Sequence, residues 1–269
     1  MELNRLNSIN RNGLSSIYTN FISNGFNQNL NNNMKLKLRH AFLLFPLLSL
    51  QLNAQEIKAE LNKEFKRAEK ISYILDYPQK VKGNVPLIVF LHGSGERGTD
   101  LEMVKAHSPF TYKNLIKEPV AILAPQCPAD SWWDTVTIYN LIKEIQRKYK
   151  IDASRIYLTG LSLGGWGTLK LAMEHPEMFA AVVPVCAPTD QIMTANINQY
   201  KDLNMKIFHG GMDDIVLPEN AFKFYQKLHP INPTAELVIF PNDNHNSWDS
   251  TYSDPKLYEW MLSKRKGDK

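Results

Sequence analysis

A serine with glycines two residues away on either side lies in Gly160-Leu161-Ser162-Leu163-Gly164-Gly165. It follows the run Arg155-Ile156-Tyr157-Leu158-Thr159 and precedes a helix-like stretch from Trp166 to His175. Strand, sharp turn and helix together can present a serine as a nucleophile. The turn strains the serine backbone and brings neighbouring chain too close for side chains at Gly160 and Gly164. The hydroxyl then stands beside the first N–H groups of a helix, which favour developing negative charge. Such a serine needs a base, an acid to orient the base, and an oxyanion hole.

Three other stretches offer those parts. His92-Gly93-Ser94-Gly95 follows the apolar run Leu87–Leu91. A backbone N–H from this loop, taken as that of Ser94, can hold an oxyanion together with the N–H of Leu163. The two glycines by themselves also simply make a turn, and Glu96 and Arg97 read as braces of that loop. Lys206–His209 runs into Gly210-Gly211-Met212-Asp213-Asp214-Ile215-Val216. Two aspartates compete there for the acid; the pattern G-x-x-D-x-x-V puts Asp213 in that position, where it can orient a histidine. Leu237–Phe240 runs into a polar loop carrying His245, which can take the Ser162 proton and return it to a leaving group. His229 ends a helical stretch beside Pro230 and reads as a cap or a surface residue. His92 and His209 precede glycines and read as loop braces, and His107 is placed near the cleft mouth.

The elements that must position these residues alternate. Ile71–Tyr77, Pro86–Leu91, Val120–Ala124, Ile156–Thr159, Phe179–Val185, Lys206–His209 and Leu237–Phe240 read as strands. Asp134–Tyr149, Ala221–Leu228 and Pro255–Lys264 have helical spacing. Uninterrupted apolar strands between helices predict an α/β fold, a mostly parallel sheet covered on both faces, with ligands at the carboxyl ends of the strands. Every candidate residue falls just after a strand. The order Ser162, Asp213, His245 is that of α/β-hydrolases.

The chain resembles the α/β-hydrolases of a bacterial secreted carboxylesterase group often labelled predicted peptidase, related to feruloyl and other carbohydrate esterases and to dienelactone-hydrolase-like proteins. The resemblance rests on Leu91-His92-Gly93-Ser94-Gly95-Glu96-Arg97-Gly98, Ala124-Pro125-Gln126-Cys127-Pro128 with Trp132-Trp133, the Ser162 turn, the Asp213 loop and Asn244-His245-Asn246-Ser247-Trp248-Asp249. Asn244 departs from it, since the group usually has glycine there. The resemblance implies an α/β-hydrolase fold in which the strands before Cys127 and Cys186 are not neighbours, hence two free buried thiols. It also implies a serine carboxyl-ester hydrolase with no cofactor and no metal, acting on short-acyl or feruloyl esters of carbohydrates. Trp132, Trp133 and Trp248 follow strand ends and are candidates to line the cleft, Trp133 and Trp248 being the ones assigned to the substrate, with core or rim packing the alternative for each. A prolyl-oligopeptidase-like serine peptidase and a non-catalytic binding protein of the same fold are the alternatives. The first calls for a large second domain, and the second usually lacks a member of the Ser-His-Asp set.

Residues 1–33 are rich in Asn and Ser and read as a disordered upstream extension. Met34–Ala54 has a basic start and a short apolar run, the pattern of a signal peptide cleaved near Ala54. The catalytic domain is then residues 55–269, exported to the periplasm or beyond. The formal charge of +4 belongs largely to the leader: without residues 1–54 there remain 26 basic and 26 acidic side chains. That balance removes the electrostatic case for nucleic acid as a partner. An ester substrate is the partner expected, with no membrane attachment after cleavage.

Overall fold

A computed structural model describes residues 69–268. The upstream extension, the signal peptide and most of the polar segment after it lie outside these residues. Seven strands form one sheet in the order β1-β3-β2-β4-β5-β6-β7. They are β1 (Tyr73–Asp76), β2 (Val85–Leu91), β3 (Ala121–Pro125), β4 (Ile151–Leu161), β5 (Ala181–Val185), β6 (Lys206–Gly210) and β7 (Glu236–Phe240). β1 runs antiparallel to β3, and every other pairing is parallel. The helices are α1 (Thr135–Lys148), α2 (Leu163–Glu174), α3 (Gln191–Ala195), α4 (Glu219–Leu228), α5 (Trp248–Tyr252) and α6 (Pro255–Ser263).

All seven residues of β2 are buried, as expected of a central parallel strand. Alternation along it divides the core. Leu87, Val89 and Leu91 pack with Ile138, Ile142 and Ile145 of α1, Leu169 and Ala172 of α2, and Phe224 of α4. Ile88 and Phe90 point the other way, into a second cluster with Tyr252 of α5 and Leu257, Tyr258 and Met261 of α6. Each fully buried large side chain contributes roughly 2 kcal/mol, so both faces of the sheet are needed to hold the fold.

Three elements differ from the sequence reading. β4 starts five residues earlier than Ile156, and its register against β2 shifts between Val85 and Leu87. α2 begins at Leu163, so its first turn contains the glycine pair that composition alone would keep outside a helix. The short α5 was not expected so close to His245. Cys127 and Cys186 are buried free thiols, and β2 and β4 stand between the strands they follow. Burial pushes the Cys127 thiol up to about 11 and raises that of Cys186 further. Among the described residues, no helix is long and apolar enough to cross a membrane.

Candidate active site

Ser162 forms the apex between β4 and α2 with φ 53° and ψ −117°, the left-handed side of backbone space that ordinary residues avoid. Its N–H donates to the Val185 carbonyl at 2.9 Å, tying the apex to β5. The glycines around it are sterically required. A Cβ on Gly164 would lie 1.8 Å from the Leu91 carbonyl oxygen, and one on Gly160 would lie 2.6 Å from that same oxygen. The ends of β2 and β4 are therefore pressed backbone to backbone.

His245, on the loop after β7, reaches this apex. Its Nε2 is 3.0 Å from Ser162 Oγ, and its Nδ1 is 2.9 Å and 3.0 Å from the two carboxylate oxygens of Asp213. The pairing fixes the tautomer: Nδ1–H donates to Asp213, leaving Nε2 to accept from the serine hydroxyl. Asp213 is 2% exposed, and its Oδ1 accepts the N–H groups of Ile215 at 3.0 Å and Val216 at 2.8 Å. Asp214 points to solvent. The loops bearing Asp213 and His245 are knitted together by Gly211 N–H to Phe240 O (2.7 Å) and Met212 N–H to Asp243 O (2.9 Å). A Cβ on Gly210 would meet the Asn244 carbonyl at 2.1 Å, so this contact also depends on a missing side chain. Asn244 does not adopt positive φ, which is why the loop accepts it where glycine was expected.

The loop after β2 lies against the apex, a Cβ on Gly93 coming 3.6 Å from Ser162 Cβ. Ser94 opens a short 3-10 turn, and Leu163 is the first residue of α2, where an N–H has no partner within the helix. The bracing of this loop is dense. His92 Nδ1–H donates to Gly93 O at 2.7 Å, while His92 Nε2 accepts the Cys127 N–H at 3.0 Å. Burial holds the His92 pKa down at about 4. Arg97 donates to Ser94 O and to Ser131 O, each at 3.1 Å. Gln126 donates to Glu96 O, and Gly98 N–H donates to Cys127 O at 2.9 Å.

Trp133 corrects the sequence reading. Expected at the substrate, it is a core residue at 3% exposure, its indole N–H donating to His92 O at 3.2 Å and its ring edge-on to His92. It supports the loop from behind. Trp248 packs edge-on against His245, with ring centroids 5.4 Å apart, and against His107 on its other side. His229 is an exposed helix cap hydrogen-bonded to Tyr225.

Two further neighbours of the site, read from the sequence only as a loop brace and a free buried thiol, lie against the relay. His209, fully buried, donates through Nε2 to Val216 O at 2.7 Å, and the same nitrogen is 3.2 Å from Asp213 Oδ2. Its position four residues before Asp213 was the available signal. Cys186 lies behind the relay, with its Sγ, an Asp213 oxygen and a His245 nitrogen all within 4.8 Å of one another. Those three could in principle ligate an ion, but a thiol kept protonated by burial is a poor ligand, and the Asp213 carboxylate is committed to backbone N–H groups and imidazole. The arrangement suits proton transfer.

A family model described as Phospholipase/Carboxylesterase matches residues 129–256. A probable acetylxylan esterase A of Aspergillus clavatus is 30% identical over 43% of this chain and 36% of its own length. A crystal structure of a thermostable esterase is 32% identical with a TM-score of 0.66, covering 72% of this chain and 59% of that one. Est1E from Butyrivibrio proteoclasticus, 18% identical, shares the fold with a TM-score of 0.56 over 71% of this chain and 93% of its own. The chain spans about a third to a half of the length of most of the first curated relatives it matches, and less than a fifth of one.

Proposed function

We propose, from the premise that this chain is an α/β-hydrolase related to carbohydrate esterases, that it hydrolyses carboxylic esters through a covalent acyl-enzyme. The observation that carries this reading is the relay Ser162–His245–Asp213, hydrogen-bonded along its length at a strained apex. His245 Nε2 takes the Ser162 proton as Oγ attacks the ester carbonyl carbon. The tetrahedral oxyanion is received by the N–H groups of Leu163 and Ser94, and Asp213 stabilises the imidazolium. His245 then protonates the departing alcohol, and water repeats the cycle on the acyl-serine. Every group the reaction needs is supplied by the chain's own residues.

The substrates are short-acyl or feruloyl esters of carbohydrates, in keeping with acetylxylan and feruloyl esterases among the relatives. Export by the Met34–Ala54 leader would bring the enzyme to such polymers. The test is a serine-directed fluorophosphonate together with Ser162→Ala. The wild type is expected to be labelled at Ser162 only, and the variant to fold yet lose activity on p-nitrophenyl acetate by about 10⁴-fold or more. Labelling at another serine, or an active variant, would sink the reading.

A further inference from the structure

The conspicuous side chain left over beside this site is Trp132. Its neighbour Trp133 is in the core, whereas Trp132 is 59% exposed, leaving on the order of 100 Å² of indole in water. It is nonetheless held. Its ring meets Trp166 edge to face, with centroids 4.9 Å apart at 77°. Trp166 in turn donates its indole N–H to Asp190 Oδ2 at 3.0 Å, and Asp190 Oδ1 is fixed by the Met193 N–H at 2.8 Å. The loop beneath Trp132 is pinned by Arg97, which bonds Ser131 O and Ser94 O with one guanidinium.

These contacts locate the ring. Trp166 is one helical turn beyond the nucleophile, its N–H bonded to the Ser162 carbonyl at 3.0 Å. Ser94 is the expected oxyanion donor. Trp132 therefore stands between the expected oxyanion loop and the first turn of α2: its ring packs on Trp166, and Arg97 ties its neighbour Ser131 to Ser94.

We propose that Trp132 is a saccharide-stacking platform, taking the apolar face of a sugar ring in the alcohol part of the ester. This rests on the ester-hydrolase reading and names the substrate class of the same site. A pyranose presents axial C–H bonds on its faces and hydroxyls around its edge, so it needs one fixed flat apolar surface set among polar groups. The exposed neighbours Pro128, Ala129 and Asp130 and the half-buried Ser131 provide such a setting. A second copy of the chain is a poor occupant, because a stable interface buries about 800 Å² on each partner and one indole supplies at most about 250 Å². A small acyl group is bonded directly to the carbonyl carbon that Ser162 attacks, which leaves the exposed indole to the larger alcohol part. An open indole suits a chain that continues past the site. Prior fixing by Trp166 and Asp190 means little side-chain freedom is lost on binding.

The test uses the full-length protein with xylohexaose as the binding probe and acetylated xylo-oligosaccharide and p-nitrophenyl acetate as substrates. Calorimetry should show xylohexaose binding to Ser162→Ala, weakened about tenfold by adding Trp132→Ala, the scale of one aromatic contact. Trp132→Tyr in the same background should keep most of the affinity. The ratio of kcat/KM on the acetylated oligosaccharide to that on p-nitrophenyl acetate should fall about tenfold in Trp132→Ala, mainly through KM. Equal xylohexaose affinity with and without Trp132 overturns the platform, as does an unchanged ratio. Turnover of p-nitrophenyl acetate with none of the saccharide ester overturns it too. Turnover of neither ester overturns the hydrolase reading instead, and the calorimetry then still decides whether Trp132 holds a sugar.

Discussion

The imidazole of His92 is buried with both nitrogens committed, one donating to Gly93 O and the other accepting from Cys127 N–H. A proton on Nε2 would break the second bond and place a charge in the core, which is why its pKa falls from 6.5 to about 4. Between those values the unfolded chain takes up a proton that the folded protein refuses. His92 therefore contributes its stability in full above pH 6.5 and loses it as pH falls towards 4, by about 3 kcal/mol in all. Urea unfolding at pH 7 and pH 4 should show the wild type losing about that much more than His92→Gln; parallel losses would assign the effect to other groups. On the other side of the serine, Asp213 and Asp214 separate cleanly. Asp213→Asn should lower kcat on p-nitrophenyl acetate by about 10³-fold or more, because an amide that donates to His245 turns the ring to the wrong tautomer. Asp214→Asn, at an exposed position, should stay within about twofold. If Asp214→Asn is the crippled variant, the acid has been assigned one residue early.

At the scale of elements, the site is a set of strand ends. Gly164 is where the first turn of α2 touches the end of β2, and Gly164→Ala would drive a methyl into the Leu91 carbonyl. It should cost about 3 kcal/mol or more and most of the activity. Gly95, in the neighbouring 3-10 turn, has open space around it and no positive φ. Gly95→Ala should keep stability within about 0.5 kcal/mol or raise it slightly by stiffening the unfolded chain. Thermal melts of the two variants check both, and equal losses would deny the close approach of α2 to β2. Local sequence carried much of this layout, since apolar runs mark buried strands and the residues just past them are polar or glycine. It could not tell Trp132 from Trp133, because two adjacent residues after a strand carry no period that says which faces in; the decision falls to His92, whose carbonyl takes the Trp133 N–H. Nor could it show that α5 is anchored to β4, the strand before Ser162. Thr159 donates to Val183 O at 2.7 Å and so accepts from the buried Tyr252 hydroxyl at 2.9 Å, fixing the helix after His245 three residues before Ser162. That contact joins residues 93 apart in sequence, where local pattern says nothing.

For the molecule as a whole, the segment after β5 carries short helical turns. α3 and the turn after it fold back on the body, with Tyr200 buried and its hydroxyl donating to Leu169 O at 3.0 Å. An amide leaves only when its nitrogen receives a proton in a well-aligned pose, whereas an alcohol departs more readily. Short-acyl esters should thus exceed matched amides by at least about a hundredfold in kcat/KM, roughly 2.7 kcal/mol. Comparable turnover of a proline-containing anilide would favour the peptidase alternative. The two buried thiols have a different use. Cys127 closes the strand on one side of the β2–β4 pair and Cys186 the strand on the other, and neither is bonded to the other. Alkylating reagents reach a thiolate only after local opening and ionisation. The chain thus carries a pair of native sulfhydryl clocks, one beside the loop after β2 and one behind Ser162. Their separate labelling rates would time whether those two halves of the site breathe together or one before the other.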